Sequence, residues 1–458
     1  MRSCHNVSAG FDDPNLVSCA GLVPVMTLAE RSGLHDLART HVRVPGSAGS
    51  NAEVKVAALV AGMVAGADTI DAMDLLRHGG MGRVLTAGRA PSTLGTFLRS
   101  FTFGHVRQLD AVASRLLVNL AAQAPLLAGA DQVAYLDIDD TIKATYGYQK
   151  QGAGYGYSGV KGLNALLAVV STPLAVPVIA ATRLRRGPTN CAKGAARLLA
   201  DALVTAAKAG ASGLVTVRAD SAYYNHDVIA AARTGGARFS ITARMDPAVT
   251  RAITQIPDDA WVPIKYPHAI YDDDEQRWVS DAEVAEITFT AFTSRRLDEH
   301  IGARLIVRRV KRLNPKEVPT GQGALFSVWR HHAVFTDSAE SMLAAEATHR
   351  DHAIVEKVIA ELKNGPLAHL PSGLFTANAA WLVLAAISFN LTRAAGTLAS
   401  AFHARATTAT IRTHLITVPA RIARSARRLY LHLPQRWPWE TAWQAMFTAA
   451  TGPPAHAT

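Results

Sequence analysis

Val133–Thr141 reads VAYLDIDDT, and this stretch divides the chain into two textures. Before it, from about Leu22 to Leu127, apolar residues recur at three-to-four spacing, as in Val54–Ala65 and Val106–Ala122, which predicts helices. Ala90–Thr93 reads as a helix start leading into Leu94–Phe103. This helical region is read equally as a DNA-binding unit and as a cap over the next domain. Within VAYLDIDDT the residues alternate and the run ends in acids, the pattern of a strand. Strand-like runs follow at Leu166–Val170 and Val176–Thr182. A helix over Ala192–Ala209 comes next, then a strand, Leu214–Ala219, that ends in Asp220. That order predicts an α/β layer fold with a mixed sheet. Asp139 and Asp220 both fall at strand ends, where open α/β sheets build their sites.

After Arg244 the helical signal vanishes for about ninety residues. Short runs replace it, at Trp261–Tyr266, Val284–Phe292, Leu305–Val310 and Phe326–Phe335, and they predict a β-rich insertion. Helical periodicity returns at Met342 and continues, with a break at Gly365–Gly373, to about Ser400. The expected division is a helical region over residues 1–130, a core in two parts (131–245 and 339–400), an insertion over 246–338 and a basic region over 401–458.

The chain has 458 residues, 49% of them hydrophobic and 18% charged, which fits a packed globular protein rather than a disordered one. Lys plus Arg number 47 against 36 Asp plus Glu, a formal charge of +11, so a polyanionic partner is favoured, nucleic acid ahead of an anionic membrane. Three cysteines, Cys4, Cys19 and Cys191, are too few for a disulfide framework or a paired CxxC zinc site, which points to a reducing cytoplasm. MRSCHNVSAGFDDPN has no apolar run after its arginine and does not read as a secretory signal. Leu163–Thr182 is interrupted by Ser171, Thr172 and Pro173 and reads as two strands. Ala379–Leu391 is too short for a membrane span of about 20 residues. From Leu362 to Trp439 there is no Asp or Glu, while Lys363 and eight arginines are present. The Arg421–Arg428 part of this tail reads either as a functional surface or as the solvated face of an amphipathic helix.

The chemistry concentrates in three places. In THRDHAIVEKVIAELKNG, Thr348–Gly365, a continuous helix would put His349, His352, Glu356 and Lys363 on one stripe. VRADSAYYN, Val217–Asn225, delivers Asp220 at the end of a buried strand, where an acid is costly unless something pairs with it. In YLDIDDT, Asp137 and Asp139 share one strand face and Asp140 the other, so one or two of these carboxylates must point away from the core. Three carboxylates from separate elements, with no Cys/His set beside them, suit hard cations, Mg²⁺ or Mn²⁺. Two such ions about 3.5–4 Å apart serve phosphodiester displacement.

At these residues the chain resembles the DDE transposases of bacterial insertion sequences, the IS-four-like group and most closely its IS-thirteen-eighty branch. That group carries a signature of Tyr, two residues, Arg, three residues, Glu, six residues, Lys. His349, His352, Glu356 and Lys363 keep the spacing, with His in place of both Tyr and Arg; Arg350 is a substitute for the lost charge. Asp139–Asp140–Thr141 matches the first acidic motif with Asp139 in the metal position and Asp137 and Asp140 as competitors. The resemblance extends through Gly154–Gly162, Thr182–Gly187, Ser240–Met245 and Ala420–Leu429.

What the resemblance implies is a ribonuclease-H-like mixed-sheet core with a β-rich insertion and helical N- and C-terminal regions, the first binding DNA ends. Asp139, Asp220 and Glu356 would be catalytic and hold two Mg²⁺ or Mn²⁺ ions. His349, Arg350, His352, Lys363, Lys161, Arg183, Arg185, Arg186, Arg424, Arg427 and Arg428 would contact DNA, and Trp329 would stack on an unpaired base. The expected activity is cutting at terminal inverted repeats and joining of the freed ends to new DNA, by a homodimer in a synaptic complex on duplex DNA, in the bacterial cytoplasm at the nucleoid and away from membranes. A metal-dependent nuclease and a transposase-derived DNA-binding protein without catalysis are the alternatives.

Overall fold

The computed structural model describes residues 7–86, 88–146, 149–156, 158–267, 270–273, 276–311, 329–425 and 428–452. The chain forms two compact units, one of Met1–Leu126, Thr145–Gln151 and Ala360–Thr458, the other of Leu127–Ala144 and Gly152–Ile359.

The second unit is built on a ten-stranded mixed sheet. Its strands are β1 (Val133–Ala144), β2 (Lys161–Ser171), β3 (Val178–Arg186), β4 (Leu214–Ala219), β5 (Arg238–Thr242), β6 (Ala282–Ala291), β7 (Ile301–Lys311) and β8 (Trp329–Thr336), with two short edge pieces at Gly154–Tyr155 and Val262–Pro263. β2 pairs antiparallel with both β1 and β3, while β1, β4 and β5 run parallel. Parallel neighbours need a crossover, which the helices Ala195–Lys208 and His226–Thr234 provide. Asn225 caps the second of these through its side chain. β2 is buried along nearly its whole length, as its run of Leu, Ala and Val demands of a strand covered on both faces. The expected β-rich insertion is continuous with this sheet: β8 pairs with β5, and β7 and β6 follow in antiparallel order.

In the first unit the helices Ala52–Ala65 and Phe103–Gln123 pack against a 25-residue helix, Phe375–Ala399. Thr102 and His105 close a capping box at the start of Phe103–Gln123. The 25-residue helix corrects one expectation. It is long and apolar enough to cross a membrane, so length does not exclude a span; 89% of its apolar window is buried inside the protein. It also carries Arg393, whose Nη2 donates to Glu361 Oε1 at 2.6 Å, while Glu361 Oε2 accepts from the Thr408 amide and hydroxyl. Apolar on nearly every side, it is the helix on which Ala52–Ala65 and Phe103–Gln123 pack.

The tail gives a second correction. Ala420–Ser425 and Arg428–His432 form an antiparallel hairpin, and the first strand also pairs with Leu16–Val17. Ala420 and Ile422 are buried while Arg421 and Arg424 are exposed, and the segment is paired as a strand on both sides, so the amphipathic-helix reading fails.

Candidate active site

The three acids of β1 meet three different fates. Asp137 lies opposite Arg218 in the parallel β1–β4 register. Arg218 Nε and Nη2 donate to its two carboxylate oxygens at 2.7 and 2.8 Å, and neither residue is more than 2% exposed. The Arg218 guanidinium also stacks 4.1 Å from the Tyr135 ring centre. Asp137 thus stays in the core as half of an ion pair, while Asp139 and Asp140 are half-buried. Asp140 Oδ2 accepts from Arg185 Nη2 and, at 2.9 Å, from Asn164 Nδ2. Arg185 is buried and spends its remaining donors on Asn164 Oδ1 and the carbonyls of Cys191 and Lys193. Its expected DNA contact is therefore replaced by an internal network.

Asp139 has no arginine. It accepts from the Asp140 amide at 2.7 Å, and its pKa is pushed up to about 7, first by burial and then by the like charges of Asp220, Asp140 and Glu356. Asp220 follows β4 and accepts from the Ala222 amide at 3.0 Å; burial and then Asp140 raise its pKa, against which His352 works. Glu356 is exposed, near the start of the helix Ile354–Lys363.

The expected continuous helical stripe is broken. A helix over Met342–Arg350 passes through a 3₁₀ turn, Asp351–Ala353, before Ile354–Lys363. The break has a local cause: the Thr348 carbonyl accepts from Arg218 Nη1 at 2.7 Å, and the His349 carbonyl lies 2.8 Å from His352 Nδ1. Side chains inserted into a helical ladder interrupt it. His349 is buried, with its two ring nitrogens 3.0 Å from Ser240 Oγ and 2.9 Å from Thr242 Oγ1. Burial, then His352 and Arg218, lower its pKa to about 3, so it is neutral and belongs to the core instead of meeting phosphate as a cation. Arg350 is paired with the buried Glu346, which Arg308 also binds. His352 is half-buried beside His349, with ring centres 4.9 Å apart.

The remaining expected contacts are dispersed. Lys161 and Arg186 are exposed at the ends of β2 and β3, and Arg183 is paired with Asp201. Trp329 lies in β8 with Arg309 4.5 Å and Lys311 5.5 Å from its ring centre. Lys363 closes the Glu356 helix. Arg424 and Arg428 are exposed on the tail hairpin, and Arg427 lies outside the described residues.

Sequence reasoning missed Arg218, although it stands inside the quoted VRADSAYYN. The signal was a cationic residue in a buried strand, which predicts a buried acid opposite it. It also missed Tyr223, whose hydroxyl is buried with no hydrogen-bond partner. Burial, then Asp140 and Asp139, raise its pKa. An orphaned hydroxyl beside an all-carboxylate donor set fits a hard divalent ion with its water shell. Among the described residues, no three His, Cys, Asp or Glu side chains are gathered closely enough to hold an ion as they stand.

Over residues 2–451 the sequence matches the family described as transposase DDE domain group 1, and the chain belongs to that family. It is a transposase-family protein with a mixed α/β architecture. Among solved structures it is similar to a cryo-EM structure of the piggyBac transposase synaptic complex with hairpin DNA. The identity is 10%, 85% of this chain and 78% of that chain are covered, and the TM-score is 0.40. No curated protein matches the chain.

Proposed function

We propose that this protein binds the terminal inverted repeats of an insertion sequence, cuts the DNA there and joins the freed 3′ ends to a target. The observation that carries the reading is the sorting of the acids. Asp137 and Asp140 are committed to arginines, whereas Asp139 is held at a pKa of about 7 by burial and by Asp220, Asp140 and Glu356. Carboxylates that raise one another's pKa, with no arginine committed to them, are the kind of donor set that takes a divalent cation. Asp139, Asp220 and Glu356 would hold two Mg²⁺ or Mn²⁺ ions, which when bound activate the attacking oxygen and stabilise the leaving one. A ribonuclease-H-like core is supported by the strand order β3-β2-β1-β4-β5 with β2 reversed.

The chain's own residues would do the rest. Asp139 lies within β1 just past the last residue that pairs with β4, and Asp220 directly follows β4; the Glu356 helix would bring the third acid to them. His352, Lys363, Lys161 and Arg186 would contact backbone phosphates, Trp329 an unpaired base, and Arg424 and Arg428 flanking duplex, adding salt-sensitive affinity. The helical N-terminal region would read the DNA end, and bringing two ends together implies a homodimer.

The experiment is cleavage of a duplex carrying the inverted repeat that flanks the reading frame, followed by joining to a target plasmid. Metal-dependent cleavage with joining supports the reading. Cleavage without joining makes the protein a nuclease; binding without cleavage makes it a DNA-binding derivative.

A further inference from the structure

The strand that carries Asp139, the strand that leads into Asp220 and the helix one turn ahead of the Glu356 helix meet at one guanidinium. Asp137 lies two residues before Asp139 on β1. Arg218 lies two residues before Asp220, on β4. Thr348 lies in the helix Met342–Arg350, one 3₁₀ turn ahead of the Glu356 helix. Arg218 joins all three, with Nε and Nη2 on the Asp137 carboxylate and Nη1 on the Thr348 carbonyl at 2.7 Å. With Arg218 2% exposed and Asp137 fully buried, water does not compete for these bonds.

We propose that Arg218 is a positioning residue that sets where Glu356 stands relative to the two aspartates, and so tunes divalent-cation binding by the acidic cluster. The inference rests on the transposase reading of that cluster. The argument is geometric. A planar guanidinium with donors on two edges fixes a carboxylate on one and a carbonyl on the other, which a flexible ammonium does not. The carbonyl it takes stands three residues before the turn at Asp351–Ala353, so the same bond anchors the end of one helix and aims the next one. His349 on Ser240 and Thr242, and Glu346 on Arg308, hold the helix Met342–Arg350 to β5 and β7. Neither bond reaches β1 or β4, where the aspartates are.

The test uses the full chain with two variants. Arg218→Lys keeps the charge beside Asp137 and loses the fork; Asp137→Leu/Arg218→Met removes both charges, so that neither is left buried alone. Hydrogen exchange is read by mass spectrometry, and Mn²⁺ binding by the free-ion electron paramagnetic resonance signal, without DNA. In a folded variant, exchange in residues 348–358 should quicken at least tenfold while β2 and β3 stay protected, and Mn²⁺ affinity should fall about tenfold. Unchanged exchange in that segment in either folded variant overturns the proposal. If the double variant does not fold, Arg218→Lys decides alone. If the wild type binds no Mn²⁺, or binds it equally after Asp139→Asn, the transposase reading of the cluster fails and the exchange result still decides whether Arg218 anchors the helix.

Discussion

Two layers of one strand show opposite electrostatics. At Asp137 the strand buries a charge completely and neutralises it with a two-bond arginine fork. Two residues on, at Asp139, the same strand holds a half-buried carboxylate with like charges as neighbours. The first arrangement is what folding demands of a buried acid. The second is what folding alone would remove, and under the proposed function it is the acid kept for a metal ion.

The comparison breaks most visibly in activity. Asp139→Asn, Asp220→Asn and Glu356→Gln should each reduce end cleavage by about a thousandfold or more, leaving DNA affinity within a few-fold, since ligation of metal serves the transition state more than docking. Cleavage within tenfold of wild type in any one would show that acid to be misassigned. For stability the order reverses. Arg218→Met alone leaves Asp137 buried and unpaired and should lower the free energy of unfolding by about 3–5 kcal/mol in urea titration. A loss below about 1 kcal/mol would mean that water reaches the pair.

A pH profile sharpens the contrast. The folded pKa of Asp139, about 7, lies above the ordinary 3.8. Its contribution to stability is therefore fully present below pH 3.8 and is lost as pH rises through 7. Asp139→Asn, which cannot ionise, should match wild type near pH 4 and exceed it above pH 7 by up to about 4 kcal/mol, measured in EDTA. Equal stabilities at pH 8 would place Asp139 in contact with solvent. The smallest effect belongs to charges with neither burden. Arg424→Ala/Arg428→Ala should leave the melting temperature unchanged and flatten log affinity against log salt by up to about two units. An unaltered slope would make the hairpin a bystander to DNA binding.

Much of the sheet was legible in the sequence because its signals are local. VAYLDIDDT, the interruption at Ser171–Pro173 and the strand ending at Asp220 all depend on residues next to one another. What escaped notice is non-local. Whether Asp137 or Asp139 stays unpaired is decided by Arg218, about eighty residues away and adjacent only through parallel pairing. The broken stripe at Asp351–Ala353 likewise follows from a bond made by that same arginine, which no helical wheel contains. The tail hairpin was hidden for the same reason: ARIARS does not alternate cleanly, and its strand form is set by pairing with Arg428–His432 and with Leu16–Val17, far off in the chain.

The long apolar helix Phe375–Ala399 imposes an order on the birth of the molecule. Its packing partners, Ala52–Ala65 and Phe103–Gln123, leave the ribosome early, and the whole sheet unit is made before the helix that covers them. At roughly 5–20 residues per second their apolar faces stay uncovered for on the order of ten seconds or more. Closing so large a loop costs little extra, because closure entropy grows only with the logarithm of length. A chain that stops short of Phe375 lacks the helix that covers those faces, so a truncated product should expose them and aggregate.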